Sequence, residues 1–455
     1  MERKKVLGFW DLVLFSFCAI FGVEAIATSA AIGPSAISWW LICILGYFLP
    51  LGFISAELGS AYPEQGGIYI WIKRALGKKW AARSVWYYWV ALPLWVPAMY
   101  IVIAEIIGHM FFPGMGLWAQ ISIGIIMIWA AVAINLCPLR ISKWVPNFGT
   151  ITRLFVIIGM IAAAIIYFLK NGCFANEINL ANIMPNLNVA IVFIPVIIYN
   201  LEGCDLISAA AGEMKNPARD IPRAVILSAI AISSLYIITT FAVWVVIPVQ
   251  EINVASGILQ VFMTTFSGHG MRQAITVVLG LFISSTLFAE IVTWSLGENR
   301  MVAEAAKNGE LPAILGKMNK DMAPVGASIV SGIISTVVIV IYGFIARNAS
   351  ELFWHVISFS LIVGLVSYLM LFPAFIILRI RDKAVKRPYR VPGPDWFALL
   401  LAVMAEIFVF LAMAVLIMQP GHDFMRSALP IIIGVLIAVV IGEILVAHSN
   451  GKRHG

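Results

Sequence analysis

Apolar residues along this chain gather into runs of about 20, the length at which a helix crosses a hydrocarbon core. Twelve such runs stand out, at 9–34, 36–59, 85–112, 117–137, 148–170, 188–212, 223–249, 273–304, 324–346, 351–380, 396–418 and 427–447. Most are parted by polar or Gly/Pro-containing segments, such as NGCFANEINLANIMPNLN and RDKAVKRPYRVPGPD. The pattern predicts an all-α integral membrane protein with twelve transmembrane helices. No separator is long enough to hold a second soluble domain.

Composition narrows the class. Of the 455 residues, 62% are hydrophobic and 12% charged. A soluble domain carries roughly 25% charged residues. So little charge cannot coat a soluble globule of this size, which excludes an ordinary cytosolic enzyme, a disordered chain and a disulfide scaffold. The five cysteines, Cys18, Cys43, Cys137, Cys173 and Cys204, are odd in number and lack metal-ligand spacing. No metal or cofactor is therefore called for. The N-terminal MERKKVLGFWDLVLFSF is not followed by a cleavage site, so no signal peptide is expected.

The net charge of +7 could suggest nucleic acid, but the placement of the charges argues otherwise. With the N-terminus inside, 26 of the 30 Lys and Arg fall on cytoplasmic segments. Only Lys170, Arg272, Arg347 and Arg426 fall outside. That bias predicts a multi-pass protein of the cell membrane with both termini cytoplasmic. The bilayer, and not nucleic acid, is the expected partner.

Two runs carry matching interruptions. Span 1 reads FSFCAIFGVEAIATSAAIGP and span 6 reads VIIYNLEGCDLISAAAGEMKNP. Each holds Gly-x-acid in mid-run: Gly22-Val23-Glu24 and Gly203-Cys204-Asp205. The two glycines are 181 residues and five spans apart. An odd number of spans inverts orientation. Spans 1–5 (about 9–170) and 6–10 (about 188–380) therefore read as an inverted repeat, each half opening with a broken helix. Residues 1–380 form a ten-helix core, and 381–455 add two C-terminal helices and a tail. Interrupted helices at corresponding places in two halves point to a transporter's binding site. Unwinding frees backbone N–H and C=O groups, which protein, water, ions or substrate must satisfy.

Glu24, Glu202 and Asp205 stand at these breaks, together with Asn200. A charge in mid-membrane is costly and marks function by default. No Lys or Arg sits mid-run in spans 1, 3, 6, 8 or 10, so the three acids hold protons or meet a cation that comes and goes. Glu24 and Asp205 each begin a second half-helix, where an acid can instead cap free amides. Both readings stand for these two residues. Glu202 precedes Gly203 at the end of the first half-helix, where capping gives no reason for a carboxylate. Glu105, Glu290, Glu406 and Glu443 are weaker candidates. Tyr199, Trp89, Trp95 and Trp294 are able to line a cation site with their ring faces.

The segments AELGSAYPEQGGIYIWIKRALG (56–77), AAAGEMKNPARDIPRA (209–224) and ENRMVAEAAKNGELPAIL (298–315) resemble the amino acid–polyamine–organocation transporters. The resemblance covers essentially the whole chain. It implies the LeuT-like five-plus-five fold with two further helices, and alternating access. Some family members are dimers through the last two spans, which leaves a homodimer open here. Members that carry amino acids usually have Gly-Ser-Gly or similar at the span 1 break, where backbone donors hold the substrate carboxylate. Here that place reads Gly22-Val23-Glu24, and a fixed carboxylate would repel the substrate's own. The departure favours a decarboxylated substrate such as a diamine or agmatine. By the family's motif spacing, Tyr199 covers the substrate and Asp205 falls on a family acid. Trp294 falls at a span 8 site aromatic, and Ser358 at a span 10 polar position.

Three classes of function compete. A secondary transporter for a small cationic amine or polyamine, working by exchange, fits best. An amino acid transporter or amino acid/amine antiporter of the same fold is the alternative. A channel or membrane enzyme is disfavoured, because the runs hold no nucleophile–base pair, His cluster or metal motif.

Overall fold

The computed structural model describes residues 4–112, 114–186, 194–253, 257–266, 269–345, 349–418 and 424–451. The side chains of 109, 269–272, 349–358, 418, 424–431 and 450–451 lie outside that description. Regular structure among the described residues is helical, apart from one isolated bridge between Leu7 and Met214. Span 1 is a pair, α1 (Phe9–Ile20) and α2 (Glu24–Ala30), bent by 47°. Then follow α3 (Ala36–Ala61), α4 (Lys78–Phe111), α5 (Leu117–Asn135) and α6 (Trp144–Asn171). The described part of span 6 is helical over 194–199, turns, and resumes as a tight one, α7 (Leu206–Glu213). The remaining long helices are α8 (Pro217–Val246), α9 (His269–Lys307), α10 (Val325–Ile345), α11 (Ala349–Arg381), α12 (Asp395–Met418) and α13 (Phe424–Gly451), and shorter ones lie at Ile68–Leu76 and Gly257–Thr265.

Ten of the described helices are long and apolar enough to cross a membrane, and the bent pair makes up to eleven. Span 6 begins among residues outside the description. Several helices overrun the apolar runs that predict them. The fourth begins at Lys78 rather than near 85, and the eighth at Pro217 rather than near 223. An apolar run marks only the lipid-depth part of a helix, whereas backbone hydrogen bonding continues into water. Pro217 suits a first helical turn, because its missing N–H would have no partner there.

Lipid tails are as apolar as leucine, so helices in a bilayer associate through close packing and polar contacts. Gly149 lets α6 approach Ala289 of α9 and Cys18 of α1, and Gly46 admits the ring of Phe408. Apolar side chains such as Phe155, Ile158, Ile341 and Phe410 face outward. Helices α4, α9 and α11 pack together, and α1 lies against α6, α8 and α9. These elements surround the two breaks.

Many basic residues expected on loops are tied to buried acids. Glu57 takes Arg379 and Arg387, Glu310 takes Lys73 at 2.8 Å, and Asp11 takes Lys143 at 2.9 Å. Glu213 takes Arg300 at 2.8 Å. Its carbonyl also accepts the amides of Val6 and Leu7, strapping the chain's start to the end of α7.

Candidate functional site

At the first break α1 ends at Ile20 and α2 begins at Glu24. The freed Gly22 amide donates to the Tyr236 hydroxyl of α8 at 2.7 Å. That hydroxyl has one proton, set between the Ile20 carbonyl at 2.8 Å and the Asn200 carbonyl at 3.2 Å. One phenol thus joins the unwound backbones of both broken spans. Its ring is stacked between Phe21 and Trp40, with centroids 4.4 and 4.3 Å away. A side chain at position 22 would collide with the Glu24 carboxylate and come 2.7 Å from Asn200 Oδ1. A side chain there would have to displace those two polar side chains.

The second break repeats the device. Gly203 has φ +100°, a left-handed conformation that glycine adopts without strain. Its amide donates to the Tyr368 hydroxyl of α11 at 3.3 Å. Tyr368 donates in turn to Asp205 Oδ1 at 3.0 Å, and its oxygen lies 3.5 Å from that of Tyr88. Asp205, the N-cap of α7, makes no side-chain capping hydrogen bond, and Glu24 is the first residue of α2. Asp205 Oδ2 and both Glu24 oxygens are buried without a hydrogen-bond partner.

A cavity opens beside the second break. Tyr88, Trp95, Tyr199, Trp294 and Tyr368 supply its aromatic wall, and Glu202 and Glu298 its carboxylates. The Tyr199 ring is 6.4 Å from that of Trp95, and Tyr88 is 6.3 Å from Trp294. Trp294 is fixed by its indole N–H, which donates to the Ala19 carbonyl at 2.8 Å, and by packing on Gly203. Glu202 and Glu298 both border the cavity, and Asp205 lies behind Tyr368. None of the three takes part in an ion pair among the described residues.

Of the residues expected from sequence, Trp95, Tyr199, Glu202 and Trp294 meet in this cavity. Gly22, Glu24, Asn200, Gly203 and Asp205 sit behind its wall at the two breaks. The side chain of Ser358 lies outside the description; Ser360, two residues on, borders the cavity. Glu105 and Trp89 do not border it, and Trp89 donates to Asn299 at 2.8 Å in the core. Glu443 is paired with Arg83.

Sequence reasoning missed several residues. Arg153 was expected among the inner-side charges, yet it is fully buried in α6. It pairs with Glu290 at 2.6 Å and donates to the carbonyls of Phe17 and Cys18 at 3.2 and 2.9 Å. Its guanidinium therefore satisfies the carbonyl end of α1 and removes Glu290 from the free acids. Tyr236, Tyr368 and Glu298 were missed as well. The spacing of Glu298 from Trp294, four residues on one helix, was the available signal for the last.

A model of the amino acid permease family matches residues 7–441. A protein of Lactococcus lactis subsp. lactis named as a probable agmatine/putrescine antiporter is 32% identical over 450 residues, covering 98% of this chain and 96% of its own length. An uncharacterized transporter of Legionella pneumophila is 26% identical, over 92% of this chain and 91% of its own. A glutamate/gamma-aminobutyrate antiporter of Lactococcus lactis is 26% identical, over 86% and 80%.

Proposed function

This chain belongs to the amino acid permease family, and on that premise we propose that it is a secondary active transporter exchanging small cationic amines by alternating access. Agmatine and putrescine, the molecules named for the Lactococcus relative, are the substrate class the site suits. Glu202 carries the reading. It is 8% exposed, has no basic partner among the described residues, and faces a cavity walled by aromatic rings. A buried carboxylate is costly unless a cation meets it. An ammonium or guanidinium supplies that cation, and ring faces add further attraction. Since no side chain neutralises Glu202, the substrate is the natural counterion.

The same reading takes the architecture as twelve spans, a five-plus-five inverted repeat at 1–380 and two added helices at 381–455, with both termini cytoplasmic. It takes the protein as a carrier without catalytic chemistry. The 47° bend of span 1 and the turn in span 6 support broken helices at corresponding places. A homodimer through α12 and α13 is part of the proposal.

The test is exchange in proteoliposomes loaded with one amine. External putrescine, cadaverine or agmatine should drive efflux, and lysine, ornithine, arginine and neutral amino acids should not. Equal competition by a parent amino acid would overturn the amine reading in favour of amino acid transport.

A further inference from the structure

Glu202 accounts for one charge on a substrate, and the cavity contains a second carboxylate that the protein leaves unused. Glu298 follows Trp294 by four residues in α9, on the same helix face and about 6 Å further along the axis. It is 3% exposed and borders the cavity, and its Oε2 has no hydrogen-bond partner. Its neighbours are all committed elsewhere. Asn299 accepts the Trp89 indole N–H at 2.8 Å. Arg300, the nearest basic residue in sequence, donates to Glu213 and to the Leu296 carbonyl, both at 2.8 Å. Glu290, two turns earlier, already has Arg153. Asp205 is no substitute for Glu298, because it does not border the cavity and is bonded to Tyr368.

Glu202 stands in the break of span 6 and Glu298 on α9, with the Trp294 indole against both elements. Trp294 packs on Gly203, the residue after Glu202, and lies one turn from Glu298. Two separated anions joined by an apolar, aromatic wall are complementary to a short linear molecule with a cation at each end. We propose that Glu298 is the specificity-determining partner for the second cationic end of the substrate, so that the cavity selects dications over monocations. This deepens the amine-exchange reading and rests on it. A monoamine satisfies Glu202 and leaves Glu298 buried and unpaired, while a dication satisfies both.

The test uses the full chain in detergent or nanodiscs and compares 1,4-diaminobutane with 1-aminobutane. In the wild type the diamine should bind far more tightly. Glu298→Gln keeps the shape and removes the charge. It should weaken the diamine roughly 10- to 100-fold, as expected for losing a hydrogen bond between charged groups. It should change the monoamine by less than about threefold, within the ordinary context-dependence of a single contact. Equal weakening of both ligands, or no change in either, overturns the proposal. If Glu298→Gln does not fold, a length series on the wild type decides. Diamines of three to six carbons should show an affinity optimum that the matching monoamines lack, and the same trend in both series overturns the proposal. Failure of every amine to bind would instead refute the amine-exchange reading itself.

Discussion

The amide of Gly22 donates to the hydroxyl of Tyr236 across 214 residues of sequence, at 2.7 Å. Gly203 and Tyr368 repeat the relationship at the other break. Each unwound glycine amide is thus satisfied by a phenol from a neighbouring helix, at a depth where water is scarce. Each phenol in turn donates a hydrogen bond, Tyr236 to the Ile20 and Asn200 carbonyls and Tyr368 to Asp205. The breaks are therefore held by hydroxyls, groups that can turn about a single C–O bond. That suits a binding region whose helices must rearrange during transport.

Tyr236→Phe isolates this hydroxyl, because the ring stacks on Phe21 and Trp40 survive. The change removes the hydroxyl shared by the Gly22 amide and the Ile20 and Asn200 carbonyls, and leaves Gly22 and Ile20 only their own contact at 3.1 Å. A buried group left unsatisfied costs about 1–3 kcal/mol. The expected outcome is a clearly lower melting temperature in detergent. An unchanged melting temperature would show that the hydroxyl does not hold the break.

Arg153→Met should be among the most damaging changes in the chain. It strands the Glu290 carboxylate and uncaps the carbonyls of Phe17 and Cys18. Breaking one side of a buried pair costs about 3–5 kcal/mol. Adding Glu290→Met removes the stranded charge and should recover part of the loss. The check is monodisperse yield and melting temperature for both single variants and the double. Additive losses would show that the pair is not coupled.

Span positions and breaks were legible in sequence because both are one-dimensional signals. The bilayer fixes the run length, and a glycine beside an acid is anomalous within an apolar run. Glu202 stood out on the same grounds. The partners that complete the site were not legible. Tyrosines are ordinary in membrane helices, and no periodicity reveals that Tyr236 or Tyr368 faces a break far away in sequence. Arg153 lies five residues into its predicted run, where it looked like an end charge. Only the packing of α6 on α9 brings Glu290 to it, 137 residues on. Glu298 lies inside the predicted run 273–304, but nothing in that run shows that it faces the same cavity as Glu202.

Glu202→Gln and Asp205→Asn should separate binding from scaffolding. Glu202 makes no bond that holds the fold, so Glu202→Gln should leave melting unchanged while weakening amines by about 2–5 kcal/mol, the cost of truncating one side of a buried charge pair. Asp205 accepts from Tyr368, so Asp205→Asn and Tyr368→Phe should disturb one shared contact. Their double variant should lose less than the sum of the singles, as residues in one network do. Amine titrations and thermal unfolding of the four proteins provide the check. Unchanged amine affinity in a folded Glu202→Gln protein would remove Glu202 from the site.

Glu24 should decide between amines and amino acids. Its carboxylate folds back over Gly22 beside Asn200, and both of its oxygens are buried without donors. Arg153 is paired with Glu290 and acts on Glu24 only at longer range, and no ion pair to Glu24 is formed among the described residues. An anionic Glu24 would draw cationic ligands towards the first break and repel carboxylates. Two like charges at about 4 Å and an effective dielectric near 20 cost roughly 4 kcal/mol, ample to exclude an α-carboxylate. Glu24→Gln keeps the shape and removes that charge. The amine should then bind more weakly and its parent amino acid more tightly, so the affinity ratio of cadaverine to lysine should fall by tenfold or more. A Glu24 that carries a proton predicts otherwise, because Gln then replaces one neutral group by another. Both affinities would move together, through local packing, and the ratio would stay fixed. Binding of cadaverine and lysine to the wild type and to Glu24→Gln separates the two states of the carboxyl, and a constant ratio would remove Glu24 from substrate discrimination.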